Sequence, residues 1–168
     1  MPSETQKSYF SISELVQSDT AKRNGYSEQF NPDAKVKANL QALIDRVLNP
    51  VRFRFNRSIL VNCGYRCPRL NEAVGGSKTS YHLPGCAADI DTADSDNSTN
   101  KELWSVIISM IADKSLPPIA ELIWEEGDET GPGWIHIAYS EGKQGKIKRK
   151  RNGKYTILTL DQAKALGS

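Results

Sequence analysis

Apolar positions recur at helical spacing most clearly after Asn31-Pro32-Asp33, where Val36, Leu40, Leu43, Ile44, Val47 and Leu48 share one face up to Pro50. The pattern predicts a helix capped at Asn31-Pro32-Asp33, with proline in the first turn, that stops at Pro50. Upstream, Ser13 precedes Glu14-Leu15-Val16 and is expected to cap a short helix that ends before Gly25. The run Ser58-Ile59-Leu60-Val61-Asn62 reads as a buried strand, and Pro68 opens a short helix closed by Gly75-Gly76. Cys86 to Asp91 reads as a second strand. Thr99 is then expected to cap a helix with Leu103, Trp104, Ile107, Ile108, Met110 and Ile111 over a wide face, ended by Pro117-Pro118.

Glu121 to Glu125 and Trp134 to Tyr139 flank a turn-rich segment and predict a hairpin, and the tail adds short strands around Ile147 and from Tyr155 to Leu158. Helices first and a sheet after them predict a single-domain α+β fold, with a mostly antiparallel sheet and helices packed on one side. The expected organisation is an N-terminal helix and loop over 1–30, a core over 31–140 and a basic tail of the same domain over 141–168.

Composition adds little to this picture. The chain has 168 residues, 38% apolar and 25% charged, which is the balance of one globular domain. A net charge of +2 argues against nucleic acid as a partner. Only the tail departs from neutrality. Lys143, Lys146, Lys148, Arg149, Lys150, Arg151 and Lys154 crowd together there, either as a solvated hairpin or as a surface for an anionic polymer. The start MPSETQKSYF lacks the basic and apolar regions of a secretory signal, and no stretch is long enough to span a bilayer. Cytoplasmic synthesis of a monomer is expected, without an integral membrane segment. Cys63, Cys67 and Cys86 are odd in number, so a disulfide framework is not expected, and Cys63 and Cys67 read as small buried residues.

The chemistry centres on the only two histidines, His82 and His136. His82 lies in a loop of turn formers. Asp89 stands among Cys86, Ala87, Ala88 and Ile90, where a carboxylate is costly unless paired or bound to a cation. His136 lies on the strand Trp134-Ile135-His136-Ile137-Ala138, its ring on the face of Trp134 and Ala138. Two imidazoles and a carboxylate, with a fourth position for water, are the ligand set of a catalytic zinc, although two histidines in one domain are also often unrelated.

Ser80-Tyr81-His82-Leu83-Pro84-Gly85-Cys86-Ala87-Ala88-Asp89 resembles the S-x-H-x-x-G-x-A-x-D motif of the zinc D-Ala-D-Ala carboxypeptidases and L-alanyl-D-glutamate endopeptidases, which include the vancomycin-resistance dipeptidases. Trp134-Ile135-His136-Ile137 is similar to their second motif, and Gly64-Tyr65-Arg66 to their arginine turn. The resemblance runs from the helix after Asn31 to Tyr139. It implies a zinc ion on His82, Asp89 and His136, and a hydrolase of peptidoglycan stem peptides, of D,D-carboxypeptidase or L,D-endopeptidase type.

By the same resemblance Arg66 holds a substrate carboxylate or carbonyl; the alternative is a surface arginine on Tyr65. Ser80 contacts substrate, orients the His82 loop or is a simple turn hydroxyl, and Asp91 is either a supporting carboxylate or a solvated one. Many relatives carry an acidic residue three positions before the last histidine, where this chain has Gly133. The role of base is then expected to pass to Glu125, in an Ile123-Trp124-Glu125 stretch shared with some relatives, with Glu121 and Glu126 as competitors. The other readings are a non-catalytic zinc-containing wall-binding module and, through the tail, a nucleic-acid binder. A catalytic domain without a signal peptide also suits a phage or prophage lysis enzyme, released to the wall.

Overall fold

A computed structural model describes residues 7–94 and 96–168, so the first six residues of the expected 1–30 segment lie outside it. Two short helices come first. The hydroxyl of Ser11 accepts the Glu14 N–H to cap α1 (Ile12–Leu15), and Ser18 caps α2 (Asp19–Asn24), which Gly25 closes at φ 69°. Ser13, expected as the cap, lies inside α1. Hydroxyls at Ser11 and Ser18 each face free N–H groups, and this splits the segment in two.

Asp33 caps α3 (Ala34–Leu43), with Pro32 just outside the helix. The helix does not stop at Pro50. It passes through a π-turn, Ile44–Leu48, into α4 (Asn49–Phe55), where Pro50 occupies the first turn. A π-turn resets the hydrogen-bond register, so the N–H that proline lacks has no carbonyl waiting for it. Asn56 ends α4 in the left-handed region at φ 55°.

Strand β1 (Ile59–Cys63) leads through Gly64-Tyr65-Arg66 into α5 (Pro68–Ala73), and β2 (Ala87–Thr92) follows a long loop. Asp96, rather than Thr99, caps α6 (Asn97–Ala112), because its carboxylate accepts the Ser98 N–H while Thr99 bonds Asp94. The strands β3 (Glu121–Glu125) and β4 (Trp134–Ala138) form the expected hairpin. The tail forms a second hairpin, β5 (Lys146–Arg151) and β6 (Lys154–Leu158), turned by Asn152 and Gly153, both at positive φ. It ends in α7 (Leu160–Leu166), whose Thr159 and Gln162 make a reciprocal capping box.

The six strands form one sheet in the order β1-β2-β4-β3-β5-β6, antiparallel except where β5 runs parallel to β3. The fold is therefore α+β with a mostly antiparallel sheet. Side chains alternate across it. Ile90, Leu122, Trp124, Ile135 and Ile137 point into a core with α3, α4, α6 and α7, where Trp104 meets Trp124 edge-on at 5.4 Å and its indole N–H donates to the Ala163 carbonyl at 2.9 Å. The opposite face carries the polar row described below. No helix among the described residues is long and apolar enough to cross a membrane.

Candidate metal centre and active site

Strand register sets the site. On adjacent strands Cys63 pairs with Asp89, Asp89 with His136 and His136 with Ile123, so these four side chains cross the sheet in one row on the face away from the core. A bulge between Val61 and Cys63 turns Cys63 onto this face, while Val61 stays packed against the core. His82 comes over the row from the loop after α5, its ring edge-on to that of His136 with centroids 5.1 Å apart.

The Gly64-Tyr65-Arg66 turn holds His82 in place. A side chain at residue 64 would collide with the Leu15 carbonyl, which accepts the Tyr65 N–H at 2.8 Å; glycine is needed for that approach. The Gly64 carbonyl then faces His82 Nδ1 at 2.6 Å, and the Arg66 N–H donates to the His82 carbonyl at 3.0 Å. Buried Gln29 braces the turn from behind through the Tyr65 carbonyl and the Cys67 N–H. Ser80 Oγ accepts the His82 N–H at 3.2 Å, the bond of a turn hydroxyl, and also lines the cleft.

The donor atoms fit zinc. His82 Nε2 lies 3.3 Å and His136 Nδ1 3.0 Å from the same Asp89 oxygen. Ligands held about 2.0–2.1 Å from a tetrahedral zinc stand roughly 3.3 Å from one another, and these two separations are of that size. The other nitrogen of each ring is also engaged: His82 Nδ1 by Gly64, and His136 Nε2 by Glu121 Oε1 at 2.9 Å, within ion-pair range although the N–H direction misses the oxygen. Partners of this kind fix the tautomer, leaving a lone pair on each ring for a metal. Cys63 joins the cluster as well, since its sulfur and donor atoms of His82 and Asp89 all lie within 4.8 Å of one another. It is half-buried and faces the site, unlike the buried residue expected there, whereas Cys67 and Cys86 are buried.

Without a metal the cluster holds protons instead. Burial would push both imidazoles down, but hydrogen bonds to Asp89, helped by Cys63 at His82 and Glu121 at His136, hold each up at about 9. Burial would raise Asp89, and the two imidazoles outweigh it to hold the carboxyl well below its usual range. His136 and then Lys148 bring Glu121 down to about 2 against its burial. The raised histidines stabilise the zinc-free protein fully below about pH 6.5 and cease to do so as pH rises through about 9. Chelator-treated protein should thus lose stability between those values in chemical denaturation. Zinc, which needs neutral imidazoles, should bind more tightly over the same interval. A flat stability profile would mean that the rings are not held as imidazolium.

Around this cluster lies a cleft of about 820 Å³ lined by Arg66, Ser80, Glu121, Glu125, Lys148 and Lys150 among others. Asn71 fixes Arg66 through Nη1 at 3.1 Å, both packed where a side chain on Gly76 would stand, and the buried Nε has no partner. The alternative of a guanidinium lying free on the surface does not hold. Glu125 is 7% exposed, with one buried oxygen lacking any hydrogen bond. Burial pushes its carboxyl up, with Lys150 opposing and Asp89 adding to the rise. Glu121 shares its face but is committed to His136 and Lys148, while Glu126 leaves the strand at φ 48° and accepts the Asn152 N–H. Asp91 does not support the metal ligands; it accepts from Asn100 at 2.8 Å, tying β2 to α6.

The α+β sheet thus brings two imidazoles, the Asp89 carboxylate and a second, buried carboxylate into one cleft. A family model described as Peptidase M15 matches residues 8–106, more than half of the chain, and the chain belongs to that family of zinc-dependent peptidases. The match takes in Arg66, Ser80, His82 and Asp89 and ends before Glu121, Glu125 and His136. No curated protein matches the chain.

Proposed function

We propose that the chain hydrolyses peptide bonds in the stem peptides of bacterial peptidoglycan, as a D,D-carboxypeptidase or an L,D-endopeptidase. The observation that carries this reading is the presence of a zinc-type donor set, a buried carboxylate with an oxygen free of hydrogen bonds and a clamped arginine in one cleft. In it His82, Asp89 and His136 hold the metal. A zinc ion bound there would supply a Lewis acid for the scissile carbonyl and for a water molecule. Glu125 takes the proton of the attacking water at its free oxygen and delivers it to the departing amine, a task suited to a carboxylate whose affinity for protons is raised by burial. Arg66 orients the substrate by holding a carboxylate in its planar fork. Gly133 favours the second reading, a wall-binding module without hydrolysis, and Glu125 answers it by offering a carboxylate from the neighbouring strand.

Digestion of purified sacculi separates the two. Zinc-loaded protein should release new amino groups or D-alanine, detected by mass spectrometry, and a chelator should stop it. Retention on sacculi with no new ends would leave only the binding module.

A further inference from the structure

The basic tail is not a solvated hairpin alone. The parallel register of β5 on β3 sets Lys148 beside Ile123 and Lys150 beside Glu125, so both lysines share the face of the metal donors and line the same cleft. Arg149, between them, turns to the other face and lies over Trp124 at 5.6 Å. The two lysines differ in their commitments. Lys148 donates to Glu121 at 2.8 Å, whereas Lys150 stands 3.8 Å from Glu125, too far for a hydrogen bond. Tyr155 of β6 completes the wall at its rim, its ring 5.4 Å from the Lys150 ammonium and its side exposed.

Strand order places this wall opposite Arg66. Arg66 follows β1 at one side of the sheet, the donors Asp89 and His136 lie on β2 and β4, and Lys150 lies on β5 at the far side. Among the charged groups, Arg66, Lys148 and Lys150 balance Asp89, Glu121 and Glu125, so a bound divalent metal leaves the cleft positive. We propose that Lys150, with Tyr155, forms a second anion-binding wall, and that the preferred substrates are peptides with an acidic group on each side of the scissile bond, one for Arg66 and one for Lys150. Two strand spacings separate β4 from β5, about 10 Å, so the second acidic group lies within about three residues of the bond that is cut. This rests on the peptidase reading above, and it assigns a role to a segment beyond the part matched by the family model.

The test uses synthetic stem peptides in which the acidic group on either side of the scissile bond is, one at a time, a carboxylate or its carboxamide. With zinc-loaded wild-type protein each amidation should lower kcat/KM by about tenfold, the weight of one charged hydrogen bond. In Lys150→Gln one of the two penalties should vanish and the other remain. Any effect of the substitution on Glu125 is common to all the peptides and cancels in the ratio. Amidation without effect in the wild type, or both penalties intact in Lys150→Gln, would overturn the proposal. If no peptide is cleaved, the peptidase reading falls, and calorimetric titration of the same peptides into the zinc-loaded proteins still decides whether Lys150 selects the carboxylate.

Discussion

Glu125→Gln should lower peptide hydrolysis by about 10² to 10⁴-fold, the range set by loss of a general base, while the protein keeps its zinc. The amide preserves the shape of the side chain and cannot accept the water proton. Glu125 sits opposite Trp134 at the end of β3, buried, with one oxygen that makes no hydrogen bond and has only the Lys150 ammonium at 3.8 Å, and no metal donor depends on it for a hydrogen bond. Metal content by mass spectrometry and turnover of a stem peptide should therefore separate cleanly. Unchanged turnover would move the base to another group, and loss of zinc together with activity would make Glu125 a support of the metal site rather than its partner in catalysis.

Asp89→Ala should have the other large effect, removing zinc binding and activity together. Asp89 is the hub of the cluster, since one of its oxygens meets both imidazoles. Removing it also leaves buried His82 without a carboxylate and His136 with Glu121 alone, so the zinc-free protein should lose about 3 kcal/mol below pH 6.5, as expected for one partner taken from a buried ion pair. Asp91→Asn, two residues along the same strand, serves as the control. It touches only the bonds that Asp91 accepts from Asn100 and from the Thr92 N–H and should retain zinc. A zinc-binding Asp89→Ala protein would show that Cys63 and His82 can hold the ion without it.

Features decided by neighbours in the chain were legible in the sequence, and those decided by distant contacts were not. The periodicity from Val36 to Leu48, the buried run after Ser58 and the β3–β4 hairpin are local signals, and each element forms near its expected place. The residues of the motifs, His82, Asp89 and His136, are brought together around one carboxylate oxygen. Pro50 misleads because a π-turn, which no residue type announces, removes the conflict that proline would cause. Thr99 and Asp96 are both good caps, and the choice falls to hydrogen bonds around Asp94. The Thr159–Gln162 capping box was a readable sign of α7 that periodicity over so short a segment did not reveal. Cys63 and Lys150 were beyond reach in a different way. A bulge in β1 and the parallel pairing of β5 decide which face each presents, and a shift of one residue in either would reverse it.

The parallel pairing also decides which strand lies at the open edge of the sheet. Without β5, the run Glu121-Leu122-Ile123-Trp124-Glu125 would be the last strand of the sheet, its open N–H and C=O groups beside an apolar centre and ready to pair with another copy. The hairpin covers that strand and presents β6 instead, which starts with Lys154 and ends at a helix cap. The strand that carries Glu125 is thus an inner strand only because the tail folds back onto it.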